Sequence, residues 1–146
     1  MDSTDFIYTI KSDKKASQVF KAIADVRSWW VGYYGEEIIG NTENAGDEFD
    51  FTAGGDVHFS RQKLIEVVPD KKVVWLITDS AFNYVEKADE WKGTHVIFDI
   101  VEEGGQTVLT FTHKGLTPKL ECYNSCVPAW SQYLEHKLVP LINTIQ

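Results

Sequence analysis

The C-terminal segment imposes the strongest constraint on this chain. Val127, Trp130, Leu134, Leu138, Leu141 and Ile145 recur at three- and four-residue steps. That spacing lays one apolar stripe along a long helix. Ahead of it, from Glu36 to His113, apolar and polar residues tend to alternate, as in strands with one dry and one wet face. Neither the stripe nor the dry face is stable in water, so each must cover the other. A run of antiparallel strands with a helix at either end is an α+β plan. If the sheet curls around the closing helix, a gap can remain between them.

The remaining elements follow from local signals. Phe6 to Ile10 reads as a short strand. Ser12 is placed to cap a helix, and Ala16, Val19, Phe20 and Ile23 then share one helical face that ends near Asp25. Trp29 and Trp30 precede a Gly/Tyr loop over 32–35. Phe49 and Phe51 alternate with Glu48 and Asp50. Ala53-Gly54-Gly55-Asp56 signals a tight turn. Residues 57–68 form one long or bent strand, Pro69 to Lys72 a hairpin turn, and Val73 to Thr78 the return strand. Residues 79–93 read as a polar connection carrying Phe82, Tyr84 and Trp91. Residues 94–101 and 107–113 make a second hairpin around the 102–106 loop. In the closing helix, Ser125 is the expected N-cap, Pro128 falls in the first turn, and Pro140 predicts a kink or an early end.

At 146 residues the chain is expected to form one domain, 1–146. A formal charge of −8 argues against nucleic acid and anionic lipid as partners. The Met1-Asp2-Ser3-Thr4-Asp5 start lacks the charged-then-apolar pattern of a secretory leader, and no run of about 18 apolar residues predicts membrane insertion. The expected location is the cytoplasm. Cys122 and Cys126 are the two cysteines. One helical turn apart, they read as small buried or half-buried thiols, too far apart for easy bridging, with a redox pair or half of a metal site as the alternative. No metal site and no cofactor are predicted.

Strand alternation groups the inward residues. Tyr8 and Ile10 form one row, Phe49 and Phe51 another. Trp75 pairs with Ile77; Val96, Phe98 and Ile100 form a row, as do Leu109, Phe111 and His113. Trp130, Leu134 and Leu138 face them from the helix. Either these side chains fill one another, or they line an aromatic pocket for a lipophilic small molecule. The pocket candidates are Trp30, Phe51, Trp75, Ile77, Phe98, Phe111, His113, Trp130 and Leu134. His113 lies on the apolar side of its strand. It is either bonded to backbone or exposed at the strand end, or it is the polar group that orients a ligand or moves a proton. His58 and His95 alternate outward. Glu66 shares a face with Leu64 and Val68; it reads as a surface glutamate paired with Arg61 or Lys63, or, if buried, as an acid–base candidate. Of Trp29 and Trp30, one is expected under the loop and one over the pocket entrance. The 79–91 connection is long enough for a lid, although packing alone also explains its aromatics.

Several segments, taken in order, resemble the START-like helix-grip superfamily. Within it they resemble the group named for the C-terminal domain of the Hsp90 ATPase activator. The likeness lies in Lys11 to Ile23 with Val19-Phe20-Lys21-Ala22-Ile23, in Trp29-Trp30, in Gly46-Asp47-Glu48-Phe49, and in Leu64 to Pro69 followed by Val73-Val74-Trp75. It continues through Gly93 to Phe98, Thr107 to His113, and Trp130-Ser131-Gln132-Tyr133-Leu134. The resemblance implies a curved antiparallel sheet of six or seven strands wrapped around a long C-terminal helix, with a cavity between them.

Three functions then compete. The first is a binding protein for a lipophilic small molecule. The second is an acid–base enzyme of cyclase or hydrolase type using the same cavity, with no catalytic residue assigned. The third is an interaction module acting on a chaperone ATPase or another protein. No GxSxG, HExxH, P-loop or GxGxxG motif is present.

Overall fold

The computed structural model describes residues 5–55 and 57–145. Residues 1–4 of the N-terminal start and the Asp56 position of the 53–56 turn lie outside these residues. Seven strands alternate with helices in the order β1 (Phe6–Ser12), α1 (Ala16–Ala24), β2 (Glu37–Gly40), β3 (Glu48–Ala53), β4 (His58–Val68), β5 (Lys72–Phe82), β6 (His95–Glu103), β7 (Gln106–Lys114), α2 (Tyr123–Tyr133) and α3 (Val139–Thr144). The strands form one antiparallel sheet in the order β1-β7-β6-β5-β4-β3-β2. It is open and curved, and α2 and α3 run on as one 22-residue helix against its inner face. This is the α+β helix-grip plan.

Two irregularities bend the central hairpin. Arg61 opposes Asp79 while Gln62 opposes Ile77, which leaves Thr78 as an extra residue on β5. Leu64 opposes Trp75 while Glu66 opposes Val74, which leaves Ile65 extra on β4. Each bulge kinks its strand and changes which side chains face inward. Thus Trp75 and Ile77 are buried before the first bulge and Ser80 and Phe82 after it. Strand β5 therefore runs on to Phe82, and the irregular connection begins at residue 83 rather than 79. The bulge at Ile65 also breaks the face that Glu66 was expected to share with Leu64: Leu64 is buried and Glu66 is exposed. The β6–β7 hairpin closes on Gly104 and Gly105, with φ of 57° and 83°. Two successive positive φ angles make the tight turn that matches strand twist, and glycine accepts them without strain.

The helix boundaries shift for identifiable reasons. Ser12 ends β1 and accepts the Lys14 N–H at 3.0 Å, so it closes a turn and does not cap α1. Lys15 is the N-cap, and the Gln18 side chain accepts its backbone N–H at 2.9 Å. Cys122, not Ser125, precedes α2, so Pro128 lies past the first turn. Pro140 does not end the closing helix. The preceding residues, Leu134–Leu138, widen into a π-turn, and the helix resumes as α3 with Pro140 in its first turn. The wider turn absorbs the missing proline N–H.

Candidate functional site

The inner face of the sheet and the closing helix bring the predicted aromatics together. Trp30 lies at the centre, stacked on Phe51 at 3.7 Å, on Trp130 at 4.9 Å and on Trp75 at 5.7 Å. Trp75 meets Phe98 edge-on at 5.0 Å, Phe98 meets Phe111 at 5.3 Å, and Phe111 meets Trp130 at 4.7 Å. Ile77 and Leu134 are fully buried in the same core. Trp29 and Trp30 are both buried, because a 3₁₀ turn at Val26–Ser28 and not a regular helix leads into them. Where the resemblance implied a cavity between sheet and helix, these rings fill one another. A small cavity of about 50 Å³ remains, bounded by Trp30, Tyr84, Trp91, Ser125, Cys126, Ala129, Trp130 and Tyr133.

His113 is wholly buried and held from both ring nitrogens. Its Nδ1 accepts the Trp130 Nε1–H at 3.0 Å, and its Nε2 lies 2.9 Å from Thr94 Oγ1. The Thr94 hydroxyl donates to the Trp91 carbonyl at 2.6 Å, so its oxygen accepts the His113 Nε2–H. The ring is therefore neutral, in one tautomer. Burial, aided by His58 and His95, pushes its pKa down to about 3.

His58 corrects the outward reading. Its ring stacks on Phe82 at 4.2 Å and meets Trp91 edge-on at 4.8 Å. Burial pushes its pKa down to about 3 as well. Along β4, His58, Ser60, Gln62 and Leu64 share this inward face. The Gln62 amide donates to Ser60 Oγ at 2.7 Å. Across the ladder, Ser60 opposes Ser80, and Ser80 Oγ accepts the Trp91 backbone N–H at 3.2 Å. Within this neighbourhood three buried polar atoms have no hydrogen-bond partner: His58 Nε2, Gln62 Oε1 and Trp91 Nε1. Alternation could not pick this face, because the opposite one carries Phe59, Arg61, Lys63 and Ile65 and is no more polar.

Residues 83–94, the connection expected as a lid or as plain packing, contribute Tyr84 and Trp91 to the cavity wall, and Glu90 ties this connection to the start of α2. The buried Glu90 carboxylate accepts the Glu121 N–H at 2.6 Å and the Cys122 N–H at 3.0 Å, where the chain enters α2. Lys87 N–H adds a bond to Glu121 Oε1 at 3.0 Å. Tyr84 Oη lies 3.3 Å from His58 Nδ1 and 3.9 Å from Cys126 Sγ, and burial followed by the Glu90 charge pushes its pKa up to about 12. Cys122 and Cys126 are joined as a disulfide, contrary to the expectation of two thiols. Their Cα atoms lie 5.5 Å apart, within the span such a bond bridges. Sequence spacing missed Glu90 because its partners lie 31 and 32 residues away.

On the opposite cavity wall, Tyr133 donates to Glu36. Burial, then that bond and the carboxylate charge, raise the Tyr133 pKa. Burial alone would raise Glu36, but the bonds from Tyr133 and backbone N–H groups outweigh it and hold its pKa down. Among the described residues, no group of three or more His, Cys, Asp or Glu side chains is arranged to hold a metal ion, and no helix is long and apolar enough to cross a membrane.

An open antiparallel sheet gripping a long C-terminal helix over an aromatic interior defines a helix-grip protein. Residues 13–143 match the family model described as Activator of Hsp90 ATPase homolog 1-like protein, and the chain belongs to that family. No curated protein sequence matches it. Among solved structures, the fold is similar to the Aha1 dimer from Colwellia psychrerythraea, at 21% identity and TM-score 0.69 over 91% of this chain and 92% of that one. It is also similar to protein MLL2253 from Mesorhizobium loti, at 15% identity and TM-score 0.72, covering 95% and 96%. An HSP90 activator from Plasmodium falciparum matches at 19% identity and TM-score 0.60, covering 94% and 95%. At these identities the likeness is one of fold.

Proposed function

We propose that this protein binds a lipophilic small molecule beneath residues 83–94, which act as a lid. The observation that carries this reading is the set of unpartnered polar atoms on His58, Gln62 and Trp91 within an aromatic interior. Each unmet group costs about 1–3 kcal/mol of desolvation. A core kept only for stability gains by replacing them with apolar side chains, whereas a ligand that meets them repays that cost on binding. Aromatic walls with a few polar groups are the usual makeup of small-molecule sites. The about 50 Å³ of space is below the roughly 150 Å³ that admits benzene in an apolar cavity, so binding requires the lid to move. The buried histidines, with pKa values near 3, are poor proton carriers at neutral pH, which favours binding over acid–base catalysis.

A thermal-shift screen against fatty acids, sterols and aromatic polyketides tests this reading. A ligand at about 100 times its Kd adds about 2.7 kcal/mol, a rise on the order of 5–11 °C for a chain of this size. A flat screen overturns it. The second reading, modulation of a chaperone ATPase, is favoured by the family match and by the activator from Plasmodium falciparum. Stimulation of an Hsp90 ATPase by this chain, unaffected by substitutions under the lid, would select it.

A further inference from the structure

We propose that Cys122 and Cys126 form a redox switch, in which reduction of their bond by a dithiol releases residues 83–90 from the start of α2. The contacts between these two segments converge on the disulfide. Among the described residues, the hydrogen bonds from 83–90 to the closing helix and its approach fall on Glu121, Cys122 and Cys126. Glu90 accepts the N–H groups of Glu121 and Cys122, Lys87 N–H donates to the Glu121 carboxylate, and Tyr84 Oη lies 3.9 Å from Cys126 Sγ. The turn that carries these partners is weakly held by its own backbone. No side chain caps α2, no acidic residue stands in its first turn, and Pro128 leaves the Asn124 carbonyl without the N–H that a regular helix supplies. Asn124 and Ser125 are exposed. In a well-capped helix a bridge across one turn constrains little. Here the disulfide closes a turn that lacks its other supports.

Residues 83–90 have little else to hold them. Glu90 is the one buried residue among them, and its carboxylate stays buried only while the two N–H groups meet it. When the turn frays, that carboxylate loses its partners and returns to water. Residues 91–94 remain tied to the sheet through Ser80, Ile77 and His113. The chemistry is thiol–disulfide exchange. Cys122 is wholly buried, whereas Cys126 lies in the cavity wall beside the exposed Ser125 and Tyr84. A thiolate of the dithiol therefore bonds to Cys126 Sγ as the Cys122–Cys126 bond breaks, and Cys122 leaves as a thiolate that takes a proton. The second thiol of the reductant then displaces Cys126 as a thiol and closes its own ring disulfide. Two electrons and two protons pass from the dithiol to the protein. The switch does not depend on the small-molecule reading.

The test equilibrates the full chain with oxidised glutathione or with dithiothreitol. Intact mass after iodoacetamide treatment counts free thiols, and amide exchange followed by NMR compares the two states. The expected result is two free thiols in the reduced state and none in the oxidised one. On reduction the Lys87, Glu121 and Cys122 amides, the N–H groups that join the two segments, are expected to exchange about tenfold faster. Strands β6 and β7 are expected to change by less than about twofold. The double variant Cys122→Ala/Cys126→Ala is expected to show the fast pattern under both conditions. Because the oxidised and reduced states share one sequence, their comparison decides the matter even where the variant does not fold. Thiols that stay free in oxidised glutathione overturn the inference, as does a bond that survives dithiothreitol in the folded chain. Equal exchange in the two states, or acceleration spread evenly over the chain, also overturns it.

Discussion

Two tryptophans separate the two ends of the interior. Trp29 is fully buried, and its indole N–H donates to the Ile23 carbonyl at 3.1 Å. Its ring stacks on Trp75 and meets Phe98 edge-on. Trp91 is nearly as buried and meets the rings of His58, Phe82, His113 and Trp130, yet its indole N–H has no partner. The ring neighbours of Trp29 are Trp30, Trp75 and Phe98, and none of them has a buried side-chain polar atom without a partner. Around Trp91 lie two histidines, Ser80 and Tyr84, with His58 also unmet. Equal burial therefore does not mean equal role. The α1 end is arranged as a dry core, and the lid end keeps polar groups that a dry core does better without.

The largest effect expected from this contrast is at Trp29. Trp29→Ala removes a fully packed ring and is expected to cost about 3–5 kcal/mol by urea denaturation. Trp91→Phe, which removes the unmet N–H together with some volume, is expected to stay within about 1 kcal/mol of the unsubstituted protein. A large loss there would erase the contrast.

Acid comes next. His58 and His113 have folded pKa values of about 3, below the ordinary 6.5. Below pH 6.5 the unfolded chain binds protons that the folded chain refuses, so stability is full above that pH and falls as pH drops toward 3. At pH 5 each histidine is expected to cost about 2 kcal/mol. Denaturation at pH 7.5 and pH 5 measures this, and His58→Phe is expected to remove about half of it. An unchanged pH slope in that variant would place His58 outside the core.

The Glu90 tie is smaller still. Glu90→Ala removes two hydrogen bonds from a carboxylate and is expected to cost about 1.5–3 kcal/mol. Amide exchange is expected to speed up first over 83–94, with the Trp29 end unchanged. Uniform acceleration would show that the lid does not open separately. Thr94→Val leaves the His113 Nε2–H unmet and is expected to cost about 1–3 kcal/mol. Gln62→Leu comes last. Loss of the unmet carbonyl offsets the lost bond to Ser60, so stability is expected to stay within about 1 kcal/mol.

The sequence alone determined the plan. Period-two alternation and the stripe from Val127 to Ile145 require a sheet and a helix to cover each other, because neither apolar surface is stable in water. The inward rows through Phe51, Trp75, Phe98 and Phe111 were legible, since the aromatic residues of each strand fall on one phase of the alternation. Strand β4 was not legible, because both of its faces mix polar and apolar groups and the bulges at Ile65 and Thr78 shift the phase. Only the tertiary structure decided whether the rings fill or line the interior. That depends on how far a curved sheet stands from its helix, a distance no local pattern encodes. Contacts such as Glu90 to Cys122 and His113 to Trp130 likewise join residues that only the closed fold brings together.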